Sequence, residues 1–457
     1  MLWRKESNYE YLTKGKVSKV ILTMSVPTII SMLVTSIYNM ADTYFVGQIN
    51  TQATAAVGVS FAVMSVIQAI GFFFGQGSGT YISRCLGAKE HDKASVMAST
   101  AFFMAVAFGI VLSILGLAFL TPLSIALGST PTILPYTRTF LGMVLIAAPF
   151  MIGSMALNNQ MRFQGNALTS MIAMLSGAVA NVALVPLFIF VFHMGIMGAG
   201  LGTLIGQAIG FVVVLAMSRR GENIRLSVKR VKIDSLFLKE VCRGGTPSLT
   251  RQGLMAISTS MLNVAAGAYG DAAIAGMSIV TRLCFVVISV VIGIGQGFQP
   301  LCGFCYGARL YGRVKQGYFF AIKLGAAFLM LCMLVGYPYA EQLVRIFRDD
   351  AAVIAVGATA LRWQLISFPI LPVIQMSNMM MQTTGNALPA NILAAGRNGI
   401  FFIPLIYILP RVFGLTGVEA CQAMADVCTF LLSLPLAYRV LSRMSRDASQ
   451  IRREDGL

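Results

Sequence analysis

Acidic side chains are scarce in this chain: 17 Asp and Glu stand against 34 Lys and Arg among 457 residues, and charged residues make up only 11% of the total. A water-exposed globule of that length needs far more polar surface, so a soluble fold is excluded. Histidine is nearly absent, with two copies. His91 falls in a predicted loop among charges and His193 at a predicted turn, neither at a usable spacing from an acid and a nucleophile. That removes histidine-centred catalysis. No Gly-rich, lysine-bearing phosphate loop follows a strand-like segment. The chain therefore carries no sign of an enzyme or of ATP hydrolysis.

Apolar residues fill the space the charges leave. Hydrophobic residues are 57% of the chain and the mean hydropathy is +0.77, as in a polytopic membrane protein. The eight cysteines sit mostly inside apolar segments, where thiols act as small buried hydrophobes. Cys302-Gly-Phe-Cys305 has redox spacing but lacks a βαβ context or a metal-binding histidine. A net charge of +17 could suggest nucleic acid. The basic residues, however, fall between apolar runs instead of interleaving with aromatics on one domain, so a lipid bilayer and not a nucleic acid is the expected partner.

At about 20 apolar residues per span, the sequence predicts twelve membrane helices, near 17–46, 54–82, 95–119, 132–156, 164–190, 197–217, 237–266, 273–300, 316–339, 352–376, 388–410 and 416–440. The first is too long for a cleaved signal peptide and has no small-residue cleavage site. One set of loops holds Lys14, Lys16, Arg84, Lys89, Arg162, Arg219, Arg230, Arg309, Arg313 and Arg443; the opposite set offers chiefly Arg345, Arg348 and Arg411. Positive charge marks the cytoplasmic side, which puts both termini in the cytoplasm of a cell whose plasma (inner) membrane holds the chain. The expected organisation is a lobe over 1–217, a cytoplasmic linker over 218–236, a second lobe over 237–442 and a tail over 443–457.

The two lobes repeat. Gly165-Asn-Ala-Leu168 recurs as Gly385-Asn-Ala-Leu388, Gly75-Gln-Gly77 as Gly295-Gln-Gly297, Gly87-Ala88 as Gly307-Ala308, Pro27 as Pro247 and Pro149 as Pro369, always 220 residues on. Six helices per copy give both copies the same orientation. Two like-oriented bundles are a recurring design for alternating-access carriers, driven here by an ion gradient.

Such a carrier needs a group that takes an ion in one facing state and gives it up in the other. Asp42 lies in the first apolar helix, where a carboxylate costs about 2.5–3.5 kcal/mol on insertion scales and normally faces a bundle interior. About 25 residues at 1.5 Å each separate it from Val17, which places it in the outer half of the span. The alternative is an interfacial acid at the helix end. Tyr38 and Asn39 lie one turn earlier on the same face. Asn181, alone among apolar neighbours on the fifth helix, is a further ion-coupling candidate, with an interhelical hydrogen bond as its other reading. Thr203 and Gln207 on the sixth helix, and Arg251, Gln252, Gln296, Gln375, Asn378 and Asp426 in the second half, are candidates for lining a substrate cavity. Met151 and Met155 join them as adaptable thioethers suited to varied ligands.

Over its whole length the chain resembles the multidrug and toxic compound extrusion (MATE) family. The similarity is carried by Tyr38-Asn-Met-Ala-Asp-Thr-Tyr-Phe-Val-Gly47, by Gly75-Gln-Gly-Ser-Gly79 leading to Ser83-Arg-Cys-Leu-Gly-Ala88, and by Gly297-Phe-Gln-Pro-Leu-Cys-Gly-Phe-Cys-Tyr-Gly-Ala308. The resemblance implies a V-shaped pair of six-helix lobes in one chain, exporting cationic amphipathic compounds in exchange for H⁺ or Na⁺ without a bound cofactor or metal. It also implies ion binding at Asp42 and Asn181. The prokaryotic branch usually has a second aspartate where this chain has Val185, a departure that weakens a Na⁺ shell more than it weakens protonation of one acid. The resemblance also brings in lipid-linked oligosaccharide flippases of the wider group as an alternative, to which Arg251, Arg282 and Arg397 would be suited.

Overall fold

The computed structural model describes residues 8–221 and 223–454, and no strand occurs among them. The first half contains α1 (Asn8–Lys14), α2 (Val17–Gly47), α3 (Thr51–Gly87), α4 (His91–Ala118), α5 (Leu120–Ala126), α6 (Leu134–Phe163), α7 (Ala167–Pro186) and α8 (Gly195–Ser218). The second contains α9 (Ser235–Gly267), α10 (Asp271–Gly307), α11 (Tyr311–Gly336), α12 (Ala340–Arg345), α13 (Ala351–Ser367), α14 (Leu371–Thr383), α15 (Ala387–Ala395), α16 (Phe402–Phe413) and α17 (Leu415–Glu454). Short 3₁₀ or π turns join α13 to α14 and α15 to α16, so each of these pairs makes one continuous span. Among the described residues, 11 helical stretches are long and apolar enough to cross a membrane. Helix α9 matches them in length but carries Lys239, Glu240, Arg243 and Arg251. Counting α9, the twelve predicted spans are all helical.

Several repeated landmarks have a local physical cause. Gly165 and Gly385 take positive φ of 89° and 79° in the turns between α6 and α7 and between α14 and α15. Those turns require the left-handed region that glycine enters without cost. Lys89 and Arg309, also 220 apart, hold φ of 62° and 58° just after the Gly-Ala pairs. There Glu90 N–H reaches back to Cys85 C=O at 2.8 Å and Leu310 N–H to Cys305 C=O at 2.7 Å. Both helices thus end in the same Schellman-type closure.

Packing divides the chain into two compact units. One comprises the chain through Tyr11 together with Ile30–Leu249; the other comprises Leu12–Ile29 with Thr250 onward. The divisions fall two residues beyond Pro27 in α2 and two residues beyond Pro247 in α9. Proline removes one backbone hydrogen bond and is the usual place for a helix to bend, so the two halves of each helix are free to join different units.

In the first unit α6 is central, packed by α3, α4 and α8, around an apolar cluster of Phe102, Leu157, Met161, Ala173 and Val214. Gly77 of α3 lies against the Val241 backbone of α9, and Gly244 against Thr80. In the second unit, α10 packs on α13 and α11, and α17 on α16 and α13. There Gly293 and Gly297 of α10 meet Ile29 and Ser25 of α2. The repeated Gly-Gln-Gly thus marks where a long helix admits the segment contributed by the opposite half of the sequence. Between apolar helices in lipid, such close backbone approach supplies the van der Waals contact that stands in for a hydrophobic drive.

Arg162, counted above among loop charges, is only 5% exposed at the end of α6. Its Nη2 donates to Asn159 Oδ1 at 2.6 Å, and Gln76 Nε2 donates to the same oxygen at 3.2 Å. Gln160 donates to Ser78 Oγ at 3.0 Å and to the Ala98 carbonyl at 3.2 Å. This polar layer lies inside the first unit, where the sequence suggests a loop, because α6 runs on to Phe163.

Candidate functional site

The first unit gathers Tyr38 and Asp42 of α2, Asn181 of α7, and Thr203 and Gln207 of α8. A glycine ladder sets their positions. Gly198, Gly202, Gly206 and Gly210 recur every fourth residue on one face of α8, and α7 lies against them. A β-carbon at Gly198 would meet Phe188, at Gly202 Val185, at Gly206 Asn181 and at Gly210 Gly177. This is the small-residue interface of membrane helices, running antiparallel.

The ladder holds Asn181, 1% exposed, so that its Nδ2 donates to Thr203 Oγ1 at 3.4 Å. The Thr203 hydroxyl in turn donates to the Ala199 carbonyl at 3.1 Å. The Asn181 side chain also lies beside the Asp42 carboxyl, and Tyr38 lies between Asp42 and Gln207. Tyr38 and Asn181 therefore flank Asp42, with Gln207 next to Tyr38 and Thr203 next to Asn181. The Asn39 side chain lies outside the described residues.

Among the described residues two atoms in this cluster find no partner: Asp42 Oδ1 and Asn181 Oδ1 are buried without a hydrogen bond. Buried acceptors are normally satisfied, and a proton or a small cation relieves such a pair. Among the described residues no Lys or Arg forms a salt bridge with Asp42. Val185, 1% exposed, is spent on packing against Gly202 and brings no second carboxylate.

The second unit treats its acid differently. Asp426 of α17, fully buried, accepts from Arg397 Nε at 2.7 Å and Gln422 Nε2 at 3.1 Å on Oδ1, and from Ser367 Oγ at 3.2 Å on Oδ2. Arg397 stands on a π turn, Gly396–Ile400, closed by Phe401 N–H to Gly396 C=O at 3.1 Å. The extra residue in that turn shifts the helix phase. Arg397 also borders a small cavity of about 20 Å³ with Gln375, Ile288, Val291, Leu329 and Leu371. Gln375 Nε2 is buried there without an acceptor.

The other candidates disperse. Arg251 Nη1 donates to Asn378 Oδ1 at 3.4 Å, and Asn378 Nδ2 to the Ala390 carbonyl at 2.7 Å. Gln252 is half-buried on α9 and Gln296 is buried in α10. Met151 is buried in α6, while Met155 packs on Gly71 of α3. Sequence reasoning missed Ser367 and Gln422. Gln422 precedes Asp426 by one helical turn and was open to an i, i+4 reading; Ser367 left no such signal.

Known proteins share this architecture. A multidrug export protein, MepA, from Staphylococcus haemolyticus is 28% identical over 449 residues, covering 98% of this chain and 99% of that protein. A solved structure described as an outward-facing conformation of a multidrug resistance MATE family transporter of the MOP superfamily superposes with a TM-score of 0.91 at 24% identity, over 97% of this chain and 100% of the other. A MOP superfamily transporter from Pyrococcus furiosus, whose structure is described as having a binding pocket of reverse polarity, gives 0.90 at 22% identity with the same coverage. Those two structures speak for the fold alone. The MatE family model matches residues 27–187 and 247–408, one stretch in each half, and on that match this multi-pass membrane protein belongs to the MatE family.

Proposed function

We propose that this chain is a secondary active multidrug exporter that moves cationic, amphipathic compounds outward in exchange for protons, with Asp42 as the coupling group. The plasma (inner) membrane, with both termini in the cytoplasm, is its place, and one chain with two units is its working form. The observation that carries the reading is the Asp42 carboxyl, which lies beside Asn181 and, among the described residues, keeps a buried oxygen without a hydrogen bond and has no salt-bridge partner. In place of a second acid, Val185 packs against α8, which favours a proton over Na⁺. The export role draws on the likeness to MepA. The flippase alternative needs arginines facing a groove, but Arg397 is held by Asp426, Arg251 donates to Asn378 and Arg282 is exposed on α10.

The test is efflux of a fluorescent cationic dye from proteoliposomes under separately imposed H⁺ and Na⁺ gradients. Wild type should respond to the proton gradient and Asp42→Asn should not. Wild-type exchange by Asp42→Asn would refute the assignment; dye unmoved by either gradient in wild type would refute the drug-antiport reading itself.

A further inference from the structure

A groove of about 380 Å³ opens in the second unit where two membrane spans begin, bordered by Lys14, Lys16 and Ser18 at the start of α2 and by Arg313, Gln316 and Phe320 of α11. Neither the repeat nor the cluster around Asp42 uses these residues. The groove's three charged lining residues are all basic. Arg313 is anchored to the protein by carbonyls, donating from Nη2 to Leu12 C=O at 3.4 Å and to Gly15 C=O, and lies beside the Cys305 thiol. Its Nε is buried with no acceptor among the described residues. Among the described residues no carboxylate forms a salt bridge with it. The guanidinium is thus held rigidly with its charge unbalanced, and the first turn of α2 adds backbone N–H groups to the same groove.

The order of residues along α11 identifies the ligand. Arg313, Gln316 and Phe320 occupy one helix face at i, i+3 and i+7. From the helix start inward the groove therefore offers a cation, then a neutral amide, then an aromatic ring. A glycerophospholipid presents its groups in that order: phosphate, glycerol ester, acyl chain. A soluble anion has no use for the inner, apolar part. We propose that this groove binds the phosphate headgroup of an anionic membrane lipid, with the upper acyl chain against Phe320. Clustered basic residues at the membrane face are the recognised electrostatic basis for such binding.

Native mass spectrometry of the purified full chain in detergent tests this by titration with phosphatidylglycerol and, separately, phosphatidylcholine. Wild type should retain the anionic lipid in clear preference to the zwitterionic one. Lys14→Ala/Lys16→Ala, at two exposed positions, should bind phosphatidylglycerol about 30-fold more weakly. Lys229→Ala, an exposed basic residue of the other unit, should leave binding unchanged. Phe320→Ser should weaken retention of the lipid. Equal retention of the two lipids, or an equal loss from Lys229→Ala, would overturn the site. Displacement of phosphatidylglycerol by millimolar inorganic phosphate would overturn the lipid assignment in favour of a free anion.

Discussion

Replacing Arg397 with Met removes the cation paired with Asp426 while keeping most of the side-chain volume. Asp426 has no solvent exposure, so water cannot take over the role of the guanidinium. Breaking a buried ion pair from one side costs about 3–5 kcal/mol. The donors left behind, Gln422 and Ser367 at 3.1 and 3.2 Å, each return about 1 kcal/mol, which places the expected loss near the lower bound, about 3 kcal/mol. Asp426→Asn added to Arg397→Met removes the stranded charge and should bring stability back to within about 1 kcal/mol of wild type, since neutral replacements of buried pairs are often tolerated. The difference is a coupling energy that a double-mutant cycle isolates. Trp363 lies on α13 one turn before Ser367, so its fluorescence during denaturant titration, in a Trp3→Phe background, reports on the unit that holds the pair. If the single and double variants unfold at the same denaturant concentration, the ion pair is not what stabilises this site.

Two further substitutions probe the other unit. Gly206→Val should displace α7, because a β-carbon there would stand 2.9 Å from Asn181 Cβ and 3.1 Å from its backbone nitrogen. Overpacking of this kind costs about 1–3 kcal/mol. Gradient-driven dye efflux should fall steeply in that variant, whereas Gly253→Ala, where nothing lies within 4 Å, should match wild type; undiminished efflux by Gly206→Val would show that Asn181 need not be held in register. Val185→Asp should make efflux respond to a Na⁺ gradient by supplying a second carboxylate one turn from Asn181, and an unchanged ion dependence in proteoliposomes would remove Val185 as the determinant of the coupling ion.

The residues around Asp42 were legible in the sequence because polar side chains in apolar helices are few and their spacing puts them on one face. Tyr38, Asp42, Asn181, Thr203 and Gln207 come together as that logic implies. The repeat was visible for a related reason: glycines at backbone contacts and left-handed turns admit no substitute, so their 220-residue offset persists where the lipid-facing positions drift. The Arg397–Asp426 pair was not legible, since regular 3.6-residue phasing does not anticipate the π turn that carries Arg397. Arg162 misled because charge near a helix end reads as a loop, whereas it is buried in the first unit with its guanidinium donating to the Asn159 amide oxygen. The charges of α9 blur its hydropathy for a matching reason. Glu240 is buried between Arg84 at 2.6 Å and Arg243 at 3.0 Å, so a polar cluster inside a unit lowers the apolar average of a helix that the repeat requires.

The exchange of helix segments at Pro27 and Pro247 bears on how this protein could be taken apart. A cut through residues 218–236 gives two tidy six-helix fragments on paper, yet the first would carry away Leu12–Ile29, which fills the glycine-lined face of α10, and the second would keep Ser235–Leu249, which does the same for α3. Each fragment would expose a backbone-deep furrow shaped for a piece of the other. An ancestral duplication of this kind commits its two copies to each other: once the segments are traded, neither copy can be lost, inverted or replaced by a foreign module without leaving its sibling unfinished.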